Sequence, residues 1–297
     1  MRSLKPSSGG WLHRETFWFG ECAAADPLTL RSMVDASDHQ WDDKPRRNAD
    51  GRWETFSSHE YWRVNYKDMQ AEDQEIIGRV NRFFRRVFNG RPGAQRAIDV
   101  GSGTNLYPAL LMLPWTEQIL LTDHSESNVR WLRGHVMDDD VPWAWHPFWR
   151  KMRGFEGYRQ IDEPRGQLRR ACTGHPGQAG IEQRSVFDLP QARWQLGTMF
   201  FVAESITEDR EEFRAAIDAF VGSLQPDSPF AATFMAGSSG YPVGGEPFPA
   251  LRVTLDDVMD HFKELNVSGL NVDLLRTAKR VRKGYEGMIV ATGIVGS

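Results

Sequence analysis

The sequence has few cysteines, no long apolar run and no excess of basic charge, and each absence excludes a class of protein. Two cysteines among 297 residues, Cys22 and Cys172, are too few for a disulfide framework or a four-ligand zinc site. They favour a reducing, cytoplasmic compartment. No run of about 18 apolar residues is present, and the first residues lack the apolar core of a signal peptide, so we expect neither a membrane span nor a leader. A net charge of −4 argues against a dedicated nucleic-acid binder.

What is present indicates a globular protein that acts on small molecules. Hydrophobic residues make up 40% of the chain, enough for a sizeable core. The unusual feature is the number of tryptophans, eleven in all. Five of them precede residue 63, and three more lie close together at Trp143, Trp145 and Trp149.

The chain after residue 56 alternates between strand and helix patterns. Residues 57–88 show helical spacing, with Ser58 as a candidate cap. Strands are predicted at 97–100, 118–122, 181–187, 198–202, 230–235, 267–272 and 287–294, and helices at 106–113, 126–136, 209–224 and 254–265. Such alternation predicts an α/β fold, a mostly parallel sheet with helices on both faces. Residues 1–56 are predicted to form an N-terminal arm or lid, and residues 138–180 an insertion rich in aromatic residues.

The first strand ends in a glycine loop that predicts a nucleotide-like ligand. Gly101 and Gly103 allow a tight turn and a close approach of the backbone to that ligand. A dinucleotide fingerprint requires a third small residue where this chain has Leu106, which argues against an NAD-dependent oxidoreductase. No Lys-Ser/Thr pair follows, which excludes a P-loop. Asp99 and Asp123 end the first two strands, and a carboxylate such as Asp123 suits a pair of ribose hydroxyls. This pattern favours S-adenosylmethionine.

Several separated motifs resemble one family, the nicotinamide, phenylethanolamine, indolethylamine and thioether methyltransferases. The resemblance covers roughly residues 57–295. It rests on Tyr61-Trp62-x-x-x-Tyr66, Ser102 to Tyr107, Thr122-Asp123, Ser125-x-x-Asn128, Trp143 to Pro147, Gly237-Ser238-Ser239-Gly240-Tyr241 and Gly244-Gly245-Glu246-x-Phe248. It implies a Rossmann-like class I methyltransferase fold with a seven-stranded, mostly parallel sheet. It also implies that the chain is a bacterial member of the family that acts on small molecules.

The same resemblance implies a set of cofactor-binding residues. Those expected around the methionine part and its sulfonium are Tyr61, Tyr66, Asp99, Gly101, Ser102, Gly103 and Tyr107. Asp123 would hold the ribose with Asn128 nearby, and Ser185 and Val186 would flank the adenine. Because the family often has an acidic residue before this valine, Ser185 is a departure, for which Asp188 is a candidate substitute. No metal is required for methyl transfer.

The expected substrate side differs from the amine-methylating relatives. Those relatives present a carboxylate just after the fifth strand, whereas this chain has Phe234, whose ring can stack on an aromatic molecule or attract a cation. Either the substrate is a flat aromatic molecule without a charged amine, or another acidic residue binds the amine of the substrate. Glu204 is the leading catalytic candidate, followed by His13 and Glu15 in the arm. Further substrate-binding candidates are Ser238, Tyr241 and Trp18.

The sequence therefore predicts an S-adenosylmethionine-dependent methyltransferase acting on an indole-like ring carbon or nitrogen. Two alternatives stay open: an amine N-methyltransferase of the nicotinamide or arylalkylamine type, and a catalytically silent relative that binds the cofactor. We expect a small aromatic substrate, no nucleic acid, no membrane, and a monomer or homodimer. The clustered tryptophans of the arm and insertion are expected to roof the substrate cavity.

Overall fold

The predicted alternation of strands and helices is confirmed. The computed structural model describes residues 45–89, 93–173, 180–276 and 284–297. Its helices are α1 (Ser58–Asn65), α2 (Ala71–Phe88), α3 (Tyr107–Met112), α4 (Glu126–Met137), α5 (His146–Met152), α6 (Pro164–Thr173), α7 (Arg210–Gly222) and α8 (Leu255–Glu264). Its strands are β1 (Ala94–Val100), β2 (Thr116–Asp123), β3 (Ile181–Gln183), β4 (Leu196–Phe200), β5 (Pro229–Ala236), β6 (Tyr241–Val243), β7 (Glu246–Phe248), β8 (Val267–Leu275) and β9 (Gly287–Val295).

Seven of the strands form one sheet in the order β3-β2-β1-β4-β5-β9-β8. The first five of these are parallel, and β9 pairs antiparallel with both β5 and β8. Because the strand order reverses beside β1, the loops after β1 and β4 diverge there, which is where open α/β sheets bind ligands. β6 and β7 form a separate hairpin.

Two hydrophobic layers cover the two faces of the sheet. Along β5 the side chains alternate between these layers: Ala231 and Met235 face α2 and α3, while Phe230, Ala232 and Phe234 face α7 and α8. Helices on both faces were predicted, and this α/β arrangement confirms the prediction.

The start of α1 differs from the sequence prediction. Ser57, rather than Ser58, is the N-cap, and its hydroxyl accepts a hydrogen bond from the Glu60 main-chain amide. The Ser58 hydroxyl instead bonds Oδ1 of Asn128 at 2.8 Å and lies 2.6 Å from the Ser127 hydroxyl. Ser58 therefore ties α1 to α4.

The predicted insertion at 138–180 contributes helices to one face of the sheet. α6 packs against β2 and α4, and α5 packs against α2 and α3. Trp145 and Trp149 are buried in this layer, and Trp143 packs against it. None of the three lines the cavity described below, so the prediction that they roof it is wrong. Their large apolar rings contribute to the core instead.

The strand predicted at 181–187 is shorter than expected. β3 ends at Gln183, because Ser185 caps a 3-10 helix at Val186–Asp188 by accepting a hydrogen bond from the Phe187 amide. Within the described part of the chain, no helix is long and apolar enough to cross a membrane.

Residues 45–56, hereafter the strap, belong to the same compact unit as the sheet. The guanidinium of Arg46 donates two hydrogen bonds to one oxygen of Glu208, at 2.9 and 2.7 Å. Asn48 donates its main-chain amide to Glu212 in the first turn of α7 at 2.7 Å. The strap is thereby bonded to the loop between β4 and α7 and to the first turn of α7. The rest of the predicted arm lies outside the described residues.

Candidate functional site

A cavity opens at the carboxyl ends of β1, β2 and β4. Its walls come from the loops after these strands, the strap, the segment after β3, and three tyrosines. The lining residues are Asn48, Trp53, Phe56, Tyr61, Tyr66, Gly101 to Asn105, Asp123 to Ser125, Asn128, Arg184 to Val186, Phe200 to Val202, Ser205, Ile206 and Tyr241. The structure thus brings together residues from most of the predicted motifs.

The glycine loop has the backbone geometry that only glycine adopts without strain. Gly101 and Gly103 have φ angles of +63° and +55°. A Cβ on Gly101 would stand 2.5 Å from Cγ2 of Val202, so this position is closed to any side chain. A Cβ on Gly103 would stand 3.8 Å from Oδ2 of Asp123 and 3.9 Å from Nδ2 of Asn128. The missing Cβ of Gly103 therefore leaves the space beside this carboxylate free for a ligand.

Asp123 is held in place by three donors. Its Oδ2 accepts from the Gly103 amide at 2.9 Å, and its Oδ1 accepts from the Ser125 amide at 2.8 Å and from Nδ2 of Asn128 at 3.1 Å. Burial raises the pKa of this carboxyl, while these hydrogen bonds lower it. Because a carboxylate has about four acceptor positions, Oδ2 keeps capacity for a hydroxyl. The arrangement suits the predicted ribose contact.

Two buried polar atoms of the loop support a polar ligand here. The Thr104 hydroxyl and Nδ2 of Asn105 are buried and have no hydrogen-bond partner among the described residues. Buried polar groups are normally satisfied, so a ligand with its own polar groups fits this wall. The charged amino-acid part of S-adenosylmethionine is such a ligand. Sequence reasoning did not single out Thr104 or Asn105, although both continue the glycine loop.

The predicted adenine side is also on the cavity wall. Ser185 and Val186 both line it, and the Ser185 hydroxyl accepts from the Phe187 amide at 3.3 Å. Asp188, the candidate substitute for an acidic residue at this point, is exposed and is not among the lining residues. Asp188 lies at the end of the 3-10 helix that Ser185 caps, one turn beyond the wall.

Aromatic side chains form the opposite wall. The Tyr61 ring lies 5.2 Å from Phe56, 6.0 Å from Tyr66 and 5.9 Å from Tyr241, measured between ring centroids. The Tyr241 hydroxyl donates to the Ser205 carbonyl at 3.1 Å, which fixes its ring. The structure thus brings Tyr61 and Tyr66, predicted to contact the cofactor, together with Tyr241, predicted to contact the substrate.

Phe200 and Phe201 are lining residues that the sequence analysis missed. Phe201 has a φ of +59°, a left-handed conformation that is rare for a bulky residue. Its amide donates to the Thr233 carbonyl of β5 at 2.8 Å, which holds the turn. Backbone strain of this kind concentrates at functional sites. Here it turns the end of β4 so that consecutive phenylalanines both reach the cavity.

Two predicted cofactor residues lie below the wall. Asp99 is 1% exposed, and its Oδ1 accepts from the Thr198 hydroxyl at 2.6 Å. Burial raises the pKa of Asp99 to about 7. Tyr107 is fully buried, with its ring stacked on Phe148 and its phenol beside Asp73, whose pKa burial also raises to about 7. Neither Asp99 nor Tyr107 lines the cavity. Ser102, by contrast, lines it and anchors the loop by donating to the Asp99 carbonyl at 3.1 Å.

Three predicted catalytic and substrate residues, Glu204, Phe234 and Ser238, are also placed away from the cavity. Glu204 is fully buried, and its Oε1 accepts from the Met235 amide at 3.0 Å and from the Ser205 hydroxyl at 3.1 Å. Phe234 packs between Phe213 and Phe262 on the far face of the sheet, because β5 points alternate side chains to opposite faces. Ser238 is fully buried and does not line the cavity either.

Three further predicted residues, His13, Glu15 and Trp18, lie outside the described residues. Among the described residues, no group of three histidine, cysteine, aspartate or glutamate side chains is arranged to hold a metal ion.

Comparison with known proteins places this geometry in a family. Residues 47–292 match the NNMT/PNMT/TEMT family. None of the curated proteins matches the chain. Among solved structures, the chain is similar to magnesium protoporphyrin IX methyltransferase from Synechocystis PCC 6803 with bound S-adenosylmethionine (TM-score 0.49, 13% identity, covering 81% of this chain and 92% of that one).

Two other solved structures are similar at the same low level of identity. N-methyltransferase NodS from Bradyrhizobium japonicum WM9, in complex with S-adenosyl-L-homocysteine, gives a TM-score of 0.48 at 9% identity, covering 80% of this chain and 93% of that one. The 1,6-didemethyltoxoflavin-N1-methyltransferase from Burkholderia thailandensis gives 0.44 at 13% identity, covering 76% and 80%. On the family match over residues 47–292, the chain belongs to the NNMT/PNMT/TEMT family and is an S-adenosylmethionine-dependent small-molecule methyltransferase.

Proposed function

We propose that this enzyme methylates a small, planar, uncharged aromatic or heteroaromatic molecule of the indole type, at a ring carbon or nitrogen. The observation that carries the proposal is the composition of the cavity wall beyond the glycine loop. Seven aromatic side chains line it: Trp53, Phe56, Tyr61, Tyr66, Phe200, Phe201 and Tyr241. Such a wall favours a flat apolar molecule, because rings stack edge-to-face or offset on one another.

The charges of the cavity support the same substrate class. Among the described lining residues, the carboxylate is Asp123, which is committed to three protein donors. Arg184 is paired with Glu182 at 2.9 Å. No carboxylate of the described lining therefore stands ready to hold an ammonium group. A protonated amine would enter this cavity without a partner carboxylate among the described lining residues, which favours an uncharged ring.

Phe234 does not contribute to this argument. Its ring is in the core and does not stack on the substrate. Phe234 therefore matters only because it stands where the amine-methylating relatives have a carboxylate.

The protein's part in the reaction is binding and alignment. S-adenosylmethionine supplies a methyl group on a sulfonium, which a nucleophile can displace directly. The aromatic wall orients the acceptor and excludes water, which converts an encounter of two molecules into a reaction within one complex. Glu204 links β5 to Ser205 on the cavity wall, and we infer that it positions this wall. The proton released by the acceptor is assigned to His13 or Glu15.

The test is a comparison of kcat/KM across an acceptor panel. Uncharged indoles and ring-nitrogen heterocycles should be methylated, and arylalkylamines that are protonated at neutral pH should react poorly. Tyr241→Ala should raise KM for the acceptor about tenfold, since a buried aromatic contact is removed, while Tyr241→Phe keeps the ring and stays within about threefold. Methylation mainly at the amine of the arylalkylamines would contradict the proposal.

A further inference from the structure

The strap contributes a polar side chain to the cavity, and its position bears on recognition of the cofactor. Asn48 and Trp53 of the strap both line the cavity. Asn48 is fixed through its main chain: its amide donates to Glu212 of α7 at 2.7 Å, and its carbonyl accepts from Nε1 of Trp53 at 2.8 Å. Its side-chain amide has no hydrogen-bond partner among the described residues.

Asn48 is on the side of the cavity where Val186 lies. The 3-10 helix that starts at Val186 packs against α7, the same helix that holds Asn48 through Glu212. Val186 itself belongs to the hydrophobic cluster that includes Phe213 of α7. The strap and the 3-10 helix after β3 therefore both contact α7, and Asn48 and Val186 both line the cavity.

The other polar groups at this end of the cavity already have partners. Arg184 donates to Glu182 through Nε and Nη2, and to the Asp188 carbonyl through Nη1. The Ser185 hydroxyl accepts from the Phe187 amide, and the Ser125 hydroxyl donates to the Trp53 carbonyl at 3.3 Å. Asn48 contributes a carboxamide to this end of the described wall, and His124 an imidazole.

We propose that the side-chain amide of Asn48 recognises the adenine of S-adenosylmethionine through its 6-amino group. The adenine edge presents an amino donor next to a ring-nitrogen acceptor, and a carboxamide offers the matching acceptor and donor together. A neutral imidazole presents one donor and one acceptor on different sides of its ring, so His124 matches this edge less well. The strap thus gives the site its specificity for the 6-amino group of adenine, and Nε1 of Trp53 holds the main chain of Asn48 in place.

The experiment measures the Kd of S-adenosylhomocysteine and of its analogue that lacks the 6-amino group, by titration calorimetry. Asn48→Ala should weaken S-adenosylhomocysteine about three- to tenfold, the effect of one or two neutral hydrogen bonds. The analogue that lacks the 6-amino group keeps only the ring-nitrogen bond, so Asn48→Ala should weaken it by a smaller factor than S-adenosylhomocysteine. Asn48→Leu, which keeps the side-chain size, should behave in the same way and serves if the alanine variant fails to fold.

Two controls separate recognition from a general effect of the strap. Glu54→Gln changes an exposed strap residue that does not line the cavity, and both affinities should stay at the wild-type values. His124→Ala should weaken both ligands equally or not at all. Equal losses of both ligands in Asn48→Ala and Asn48→Leu, or no loss in either variant, would overturn the proposal. So would a loss specific to the 6-amino group in His124→Ala alone.

Discussion

Replacement of Asp123 by asparagine is the perturbation that best separates cofactor binding from folding. The substitution keeps the size of the side chain and removes its charge. In the protein, the two carboxylate oxygens of Asp123 accept from the Gly103 amide, the Ser125 amide and Asn128 at 2.8–3.1 Å. An asparagine can serve the donors at one oxygen position, but its NH2 group then faces another N–H. The structural result is one unsatisfied buried donor.

The magnitudes follow from that count. An unsatisfied buried donor costs about 1–3 kcal/mol in the free energy of unfolding. A hydrogen bond to a charged group contributes about 1.5–3 kcal/mol, so loss of the charged ribose contact should weaken S-adenosylhomocysteine roughly ten- to a hundredfold. The loss of affinity should be measurable separately from the loss of stability, because the variant remains folded at 25 °C.

The assay is titration calorimetry of S-adenosylhomocysteine on a variant whose fold is checked by circular dichroism and urea denaturation. Glu126→Gln is the matched control. This acid is three residues away, exposed and, among the described residues, paired with Arg130 at 2.8 Å, and the variant should bind S-adenosylhomocysteine as tightly as the wild type. A folded Asp123→Asn protein that binds within twofold of the wild type would refute the assignment of Asp123 to the ribose.

Further predictions concern the glycine loop, the buried acids and the strap. Gly101→Ala should lower the free energy of unfolding by about 2–4 kcal/mol in urea denaturation, because it combines a left-handed backbone with a clash on Val202; Gly245→Ala, at φ +89° in open space, should lose only about 1 kcal/mol. Asp99 and Asp73 have pKa values of about 7 in the folded protein, above their unfolded values near 4, so they bind more protons when folded and stability should fall as pH rises from about 4 to 7. Asp73→Asn should flatten part of that slope in denaturation curves; an unchanged slope would show that Asp73 does not titrate there. Arg46→Met removes the half-buried pair with Glu208 and should lower stability by about 1 kcal/mol at low salt, with a smaller difference at 1 M NaCl; a difference that grows with salt would count against this ion pair.

The sheet and the cofactor loop could be predicted from the sequence because their signals are local. Short apolar runs separated by helical spacing specify the parallel strands, and glycines at 101 and 103 mark the positive φ angles that the loop requires. Asp123 follows as the last residue of the next strand. The structure brings these residues together on one cavity wall because parallel strands end at the same edge of the sheet.

The substrate side could not be predicted in the same way, since it depends on which face each side chain takes. A strand alternates its side chains, so Phe234 faces the core while its neighbour Met235 faces the other layer, and the sequence does not state which is which. At the end of β4, Phe201 takes a left-handed backbone conformation, and Glu204, three residues later, is fully buried. The strap has no periodic pattern, and its place is set by single ion pairs such as that between Arg46 and Glu208.

The central claim is that this cavity directs the methyl group to an uncharged aromatic ring, and one competition measures it. The enzyme is incubated at neutral pH with trideuteromethyl-labelled S-adenosylmethionine and equal amounts of an indole, a ring-nitrogen heterocycle and a protonated arylalkylamine, and the products are identified by mass spectrometry. The account predicts the label on the indole or the heterocycle, and none when Asp123→Asn replaces the wild type at limiting cofactor. Label found on the amine of the arylalkylamine alone would contradict it.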